Sequence, residues 1–302
     1  MNILITGAWN DAKKNIPDIE KLGHNVVFMQ NEADELPCDA AWAEYVICNG
    51  LFLSHRIEQF TNLKYIQLTS AGYDRIPMDY VKSHSIEIHN ARGVYSIPMA
   101  EFAMSGVLQL YKQSRFFNHN QGLHKWEKNR ELLELFGKTV CIVGCGSVGT
   151  ECAKRFAAFG CNVIGADIYP REDFCYQKIV PLHQLDEILS TADVVILTLP
   201  LTEDSYHLMN ENRLLNLKST AVIVNIARGG VVDTDALLSI LPQIGGAVLD
   251  VFEEEPLNED SPLWEAENVI VTPHNSFIGD GNSNRIRNII LKYLGDRNNE
   301  RC

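Results

Sequence analysis

An α/β fold of doubly wound parallel sheets is predicted by three observations. A β-branched apolar run, Thr139 to Val143, leads straight into Gly144-Cys145-Gly146-Ser147-Val148-Gly149 and then into an amphipathic stretch ending near Phe159. A second apolar strand, Asn162 to Ala166, ends on Asp167, at roughly the 20-residue offset of an acid that follows a strand, glycine turn and helix. Elsewhere, short apolar strands alternate with helical segments.

The strands of the first third are expected at Asn2 to Thr6, Val26 to Met29, Tyr45 to Cys48, Tyr65 to Leu68 and Ile86 to Ile88, making one small α/β domain. A long helix follows from about Pro98 to Ser114. Proline suits its first turn, and Met99, Phe102, Ala103, Gly106, Val107 and Leu110 form its apolar face. Arg115 to Gly137 is polar and aromatic, with Phe116, Phe117 and Trp126. It reads either as an arm packing on a second subunit or as a loop folded on its own domain. Further strands are expected at Val194 to Leu197, Ala221 to Asn225, Ala247 to Asp250 and Asn268 to Val271. A last helix, from about Asn282 to Leu294, lies beyond this sheet and is free to return to the first domain.

Length and charge bound the function. At 302 residues the chain has room for two domains, and 26 Lys+Arg against 39 Asp+Glu leave a formal net charge of −13. That balance disfavours nucleic acid or an anionic membrane as a partner. No apolar run approaches the roughly 20 residues of a membrane span. Met1 to Gly7 reads as a first strand rather than a leader, so a cytoplasmic protein is expected. The eight cysteines include no C-x-x-C pair and read as reduced apolar residues, with no metal site. Cys145, inside the glycine turn, is the thiol whose oxidation would block a ligand there, although an inert side chain is the simpler reading.

The turn itself predicts a dinucleotide site. Gly144 permits the tight bend, Gly146 lets backbone approach a pyrophosphate, and Gly149 lets the helix pack closely on the strand. Ser147 and Val148 open the helix whose N–H groups and positive dipole end face the phosphates. Glycine-rich turns also occur without nucleotides, but here strand, turn, helix, strand and acid stand in order. Asp167 would accept a ribose hydroxyl and repel a 2′-phosphate, which favours NAD over NADP. Arg171 is the nearby cation that would serve the phosphorylated form.

Three segments place charged or titratable residues just after strands, where open α/β sheets build their sites. They are Val224-Asn225-Ile226-Ala227-Arg228-Gly229-Gly230, Leu249-Asp250-Val251-Phe252-Glu253-Glu254-Glu255-Pro256-Leu257 and Val271-Thr272-Pro273-His274-Asn275. Singly, each has an ordinary reading: a solvated cation, three surface acids, a hydrogen-bonded histidine at a strand end. Together with the glycine turn they resemble the D-isomer-specific 2-hydroxyacid dehydrogenase family, whose members share N-A-x-R-G, D-V-F-x-x-E-P-L and T-P-H segments in this order. The resemblance extends to the Leu199-Pro200-Leu201-Thr202 loop, on the cofactor side in that family, and to Thr69-Ser70-Ala71-Gly72-Tyr73-Asp74, similar to its substrate-carboxylate loop.

The resemblance implies roles by position. Arg228 would bind the carboxylate and carbonyl of a small 2-oxo acid, His274 would be the acid/base, and Glu255, the acid directly before the proline, would pair with His274. Asp250 would contact the nicotinamide end of NAD, while Leu199, Pro200, Thr202 and Ala227 would line its site. Backbone groups of Ser70, Ala71 and Gly72 would hold the substrate carboxylate. The chemistry suits these residue types: hydride addition at C2 builds negative charge on the carbonyl oxygen, which an imidazolium can protonate. A guanidinium offers a carboxylate a planar fork, as an ammonium cannot.

The family fold implies two Rossmann-like domains: a discontinuous, flavodoxin-like substrate-binding domain of residues 1–97 plus 276–302, and an NAD-binding domain of residues 98–275. It also implies closure of the two over the substrate, and a homodimer joined through the NAD-binding domains, which favours the arm reading of Arg115 to Gly137. A competing function is that of a non-enzymatic NAD(H)-sensing corepressor, a class found in the same family. The compact chain without basic patches favours the enzyme. One departure stands out: many relatives follow the histidine with a small apolar residue and glycine, whereas this chain has Asn275-Ser276-Phe277. That leaves the identity of the 2-hydroxy acid open.

Overall fold

The apolar runs of the first third pair into one parallel sheet in the computed structural model, which describes residues 1–299. Its strands are β1 (Asn2–Thr6), β2 (Asn25–Met29), β3 (Tyr45–Cys48), β4 (Tyr65–Leu68) and β5 (Glu87–His89), in the order β2-β1-β3-β4-β5. Helices α1 (Ala12–Lys21), α2 (Leu51–Ser54) and α3 (Met78–Ser83) lie between them in the chain. Strand alternation divides the buried residues between two faces. Leu4, Val46 and Cys48 pack with Leu51, Phe60 and Ile66, while Ile3, Ile5, Tyr45 and Ile47 pack with Ile286, Ile290 and Leu294 of the C-terminal helix (Asn282–Asn299). Arg287 of that helix donates to Asn15 and Asp18 of α1, both at 2.7 Å. Met1–Tyr95 and the segment from Gly279 onward therefore form one unit.

The second unit is Ser96–Ile278. It opens with α4 (Ser96–Tyr111) and α5 (Ser114–Gly122) and continues through β6 (Thr139–Val143), α6 (Ser147–Ala158), β7 (Asn162–Asp167), β8 (Lys178–Pro181), α7 (Leu185–Leu189), β9 (Val194–Leu197), α8 (Glu211–Leu215), β10 (Val222–Asn225), α9 (Thr234–Ile240), β11 (Gly246–Leu249) and β12 (Val269–Val271). The sheet runs β12-β11-β10-β9-β6-β7-β8 with every pairing parallel. Counted from β6, this is the doubly wound order 3-2-1-4-5-6 with one further strand, so winding reverses between β6 and β9. Ligands of such sheets sit at the carboxyl ends of the strands flanking that point.

Two details depart from the sequence reading. The long helix ends at Tyr111 rather than near Ser114, because Gln113 takes a left-handed conformation (φ 52°) and a second helix, α5, starts directly after it. The edge strand β8 is also absent from that reading: four residues ending in proline, paired on one side only, carry little periodic signal. Among the described residues, no helix is long and apolar enough to cross a membrane.

Candidate active site

The carboxyl edge of the second sheet gathers the glycine turn and the three charged segments. At the reversal point, Gly144 has φ 92°, a conformation costly for any residue with a side chain. A Cβ there would also lie 2.8 Å from the backbone nitrogen of Leu199. The turn after β6 and the Leu199-Pro200 loop after β9 are thus in direct backbone contact. Thr198, not singled out in the sequence, reinforces them by donating its hydroxyl to the Gly144 carbonyl at 2.6 Å. Gly149 faces the Gly144 carbonyl so closely that a Cβ would sit 2.2 Å away, whereas a Cβ on Gly146 would meet nothing within 4 Å. The open backbone at Gly146, followed by Ser147 and Val148 at the start of a 12-residue helix, fits a pyrophosphate.

Asp167, at the end of β7, accepts from Cys145 N–H at 2.6 Å and from Tyr169 N–H at 2.8 Å. Each carboxylate oxygen keeps a second lone pair for a ribose hydroxyl. The Arg171 guanidinium hydrogen-bonds the Cys145 carbonyl and lies 3.6 Å from Asp173, so protein acceptors already engage it. Cys145 itself is fully buried, and burial pushes its thiol up to about 12. On the cofactor-side loop, Ser205 Oγ accepts from Thr202 N–H at 2.7 Å and donates to the Pro200 carbonyl at 2.7 Å, fixing the loop's shape.

The segment after β10 turns at Ala227 and Arg228. Asn225 Oδ1 accepts from Ala227 N–H at 3.1 Å, Asn225 Nδ2 donates to the Arg228 carbonyl at 3.0 Å, and Arg228 Nη1 donates to the Ala227 carbonyl at 2.7 Å. The segments after β11 and β12 meet at the acid/base pair. His274 Nδ1 lies 2.9 Å from Glu255 Oε2, and both side chains are about two-fifths exposed (42% and 39%). Of the three consecutive acids, Glu255 makes this contact, while Glu253 turns instead to His207 at 2.7 Å. With Glu255 ionised, Nδ1 carries the proton of the bond and Nε2 is left toward a reacting oxygen.

Asp250, placed against the nicotinamide by resemblance, also braces the turn of the acid/base. Its side chain is fully buried, and its carboxylate accepts from Thr272 Oγ1 at 2.7 Å, Asn275 N–H at 2.7 Å and Ser276 N–H at 2.9 Å. His274 N–H donates to the Asp250 carbonyl at 2.8 Å. Asp250 therefore holds the turn that carries His274, whose backbone is left-handed at φ 49°. Phe277 stands edge-on to the His274 ring at 6.2 Å between centroids, so the unusual residue after the histidine is the imidazole's neighbour.

In the first unit, the Thr69-to-Asp74 loop follows β4. Ser70 Oγ donates to the Gly72 carbonyl at 3.1 Å, Ala91 N–H donates to the Ser70 carbonyl at 2.8 Å, and Asn90 Nδ2 donates to the Ala71 carbonyl at 2.6 Å. These bonds turn the carbonyls inward on the loop's own partners. Among the described residues, no group of three or more His, Cys, Asp or Glu side chains could hold a metal ion.

Residues 104–276 match the family model for the D-isomer specific 2-hydroxyacid dehydrogenase NAD-binding domain. A glyoxylate reductase from Thermofilum pendens is 37% identical over 223 residues, covering 70% of this chain and 65% of the relative. A glyoxylate reductase from Korarchaeum cryptofilum is 33% identical over 244 residues, covering 78% of this chain and 74% of the relative. The crystal structure of D-lactate dehydrogenase from Aquifex aeolicus, complexed with NAD and lactic acid, superposes with a TM-score of 0.79 at 28% identity, covering 97% of this chain and 94% of that one.

Proposed function

We infer the reaction from one premise: this chain belongs to the D-isomer-specific 2-hydroxyacid dehydrogenase family. The reading is an NAD-dependent oxidoreductase that interconverts a small 2-oxo acid and its D-2-hydroxy acid. The observation that carries it is the Glu255–His274 pair at 2.9 Å, on the carboxyl edge of a sheet whose reversal point holds an open glycine turn. NAD supplies the hydride acceptor or donor when bound. The backbone of Gly144, Gly146, Ser147, Val148 and Gly149 would take its pyrophosphate, Asp167 its adenosine ribose, and the Leu199, Pro200, Thr202 and Ala227 segments its remaining length.

The chain's own residues do the rest. Arg228 offers two parallel N–H donors to the substrate carboxylate and carbonyl. The Thr69-to-Asp74 loop, with Ser70, Ala71 and Gly72, is assigned the same carboxylate by resemblance. In reduction, His274 Nε2 gives a proton to the carbonyl oxygen as charge develops on it, and in oxidation neutral Nε2 accepts the hydroxyl proton. Glu255 holds the ring in orientation and balances the imidazolium. Asp250 braces the turn that carries His274 and, by resemblance, would contact the nicotinamide end of NAD.

The protein is proposed to work as a cytoplasmic homodimer joined through the NAD-binding units. The support is apolar surface on the second unit: Trp126 is 98% and Phe136 78% exposed, and an open groove between α4 and α6 is lined by Met104, Leu108, Ala158 and Phe159. The deciding experiment follows NADH and NADPH oxidation with glyoxylate, hydroxypyruvate, phosphohydroxypyruvate and longer 2-oxo acids. Turnover of at least one acid with NADH is expected. Turnover of none, with NADH bound normally, would make the chain an NAD(H)-binding protein instead.

A further inference from the structure

His207 lies outside the motifs of the site, yet it bonds to two of the segments that build it. Its Nε2 is 2.7 Å from Glu253 Oε2, its Nδ1 is 3.7 Å from Asp233 Oδ2, and its backbone N–H donates to the Gly230 carbonyl at 2.7 Å. Its own backbone is left-handed (φ 48°), and the Tyr206 ring stacks on its imidazole at 4.0 Å. Glu253 is held from a second side, because its Oε1 accepts from Thr234 N–H at 2.9 Å. Burial opposes the ionisation of Glu253, but the hydrogen bonds from Thr234 and His207 outweigh it and keep the carboxyl below its usual range.

Beneath this cluster the backbones touch. A Cβ on Gly229 would lie 1.8 Å from the carbonyl carbon of Phe252, so Phe252 and Glu253 rest directly on the residue after Arg228. Two residues beyond Glu253, Glu255 is held by Phe252 N–H at 3.1 Å on one oxygen and by His274 at 2.9 Å on the other. The exposed acid segment thus has its anchor at Glu253, and Glu253 has its side-chain partner in His207.

We propose that His207 is a positioning residue for the Glu255–His274 pair, acting through Glu253. This rests on the dehydrogenase reading, in which that pair moves the proton. Losing the anchor lets Glu255 wander by a fraction of its contact distance, and misplacement on that scale is costly to a proton transfer made only in the transition state. The Arg228 turn keeps its own bonds from Asn225 and its seat against Phe252, so the loss falls on kcat more than on KM for the acid.

The test compares His207→Leu, His207→Gln and Glu253→Ala. His207→Leu should lower kcat by about tenfold to a hundredfold, with KM for the 2-oxo acid and NADH affinity near wild type. His207→Gln, which keeps an N–H for Glu253, should recover most of the loss. Glu253→Ala, which also removes the Thr234 bond, should lower kcat at least as far as His207→Leu, and the double variant should fall no further than Glu253→Ala, as expected if His207 acts only through Glu253. Amide exchange supplies a readout independent of turnover: Phe252 N–H should exchange faster in His207→Leu while the amides of β10 and β11 keep their protection. Wild-type kcat in His207→Leu, equal loss in the Leu and Gln variants, or unchanged exchange at Phe252 would each overturn the proposal. Should the wild type reduce no 2-oxo acid, the dehydrogenase reading falls, and the exchange result alone decides whether His207 braces this segment.

Discussion

His274 occupies a backbone region that non-glycine residues rarely adopt, and it is kept there by a carboxylate that bonds its neighbours in the turn rather than its own side chain. Asp250 presents three acceptor contacts to the Thr272-to-Ser276 turn, so the position of the imidazole depends on one fully buried acid. Its chemistry can be tested directly. His274→Ala should lower kcat by about 10²- to 10⁴-fold, the usual contribution of a positioned acid/base, as read from single-turnover NADH oxidation. Reduction should fade toward alkaline pH while oxidation gains, since the two directions need opposite protonation states of one ring. A loss under about tenfold with an unchanged pH profile would remove His274 from the mechanism. Arg228→Lys tests the other half of the site. It should raise KM for the 2-oxo acid while leaving NADH affinity, measured by fluorescence titration, nearly unchanged, because the planar fork is lost but no cofactor contact is. A wild-type kcat/KM in that variant would contradict the role.

At the scale of elements, short contacts at strand ends fix what the strands carry. Glu44, just before β3, accepts from the Lys64 ammonium at 3.0 Å and from Asn2 N–H at 3.0 Å, which ties together the starts of β1, β3 and β4. The Lys64 hydrogen bond first, and the Asn2 N–H second, hold this carboxyl below its ordinary value of 4.5. A lowered folded-state value means that the stabilisation is complete above the unfolded value and is lost as pH falls through the folded one. Urea unfolding of Glu44→Gln should therefore show a shallower fall in stability on the acid side than wild type, and identical slopes would discount the contact. In the glycine turn, burial pushes the Cys145 thiol up to about 12, and those of Cys141 and Cys152 likewise. At pH 8 the thiolate is scarce, so iodoacetamide should label these three only after unfolding. Rapid labelling of native Cys145 would revive the idea of a redox-sensitive turn.

At the scale of the whole molecule, most of the exposed large apolar side chains among the described residues lie in the second unit. The chain from Leu123 onward leaves Leu123 at 50% and Trp126 at 98% exposure, although the same segment is tied back to α4 where Leu133 N–H donates to the Tyr111 carbonyl at 3.0 Å. Exposed apolar surface of this kind is what supports the proposed dimer. Sedimentation velocity at micromolar concentration should give a dimer for wild type and a shift toward monomer for Trp126→Asp. A monomeric wild type, or a variant indistinguishable from it, would end the dimer proposal.

The strand-turn-helix-strand unit around Gly144 was legible because each of its parts is local: β-branched residues for the strand, glycines where backbone must bend or approach, and an acid one strand later. The Arg228, Glu255 and His274 segments were legible as strand-end motifs for the same reason. Tertiary structure decided what depends on which chain segments become neighbours. It set Glu253 against His207, 46 residues away, which no motif announces, whereas the pairing of Glu255 with His274 was already implied by the family resemblance and not by the three consecutive acids alone. It buried Asp250 beneath the histidine turn, because a carboxylate's accessibility follows from the sheet that encloses it and not from its motif. Helix and strand periodicity are written residue by residue, but hydrogen-bond partners across a parallel sheet are chosen only when crossover connections bring distant strand ends to one edge.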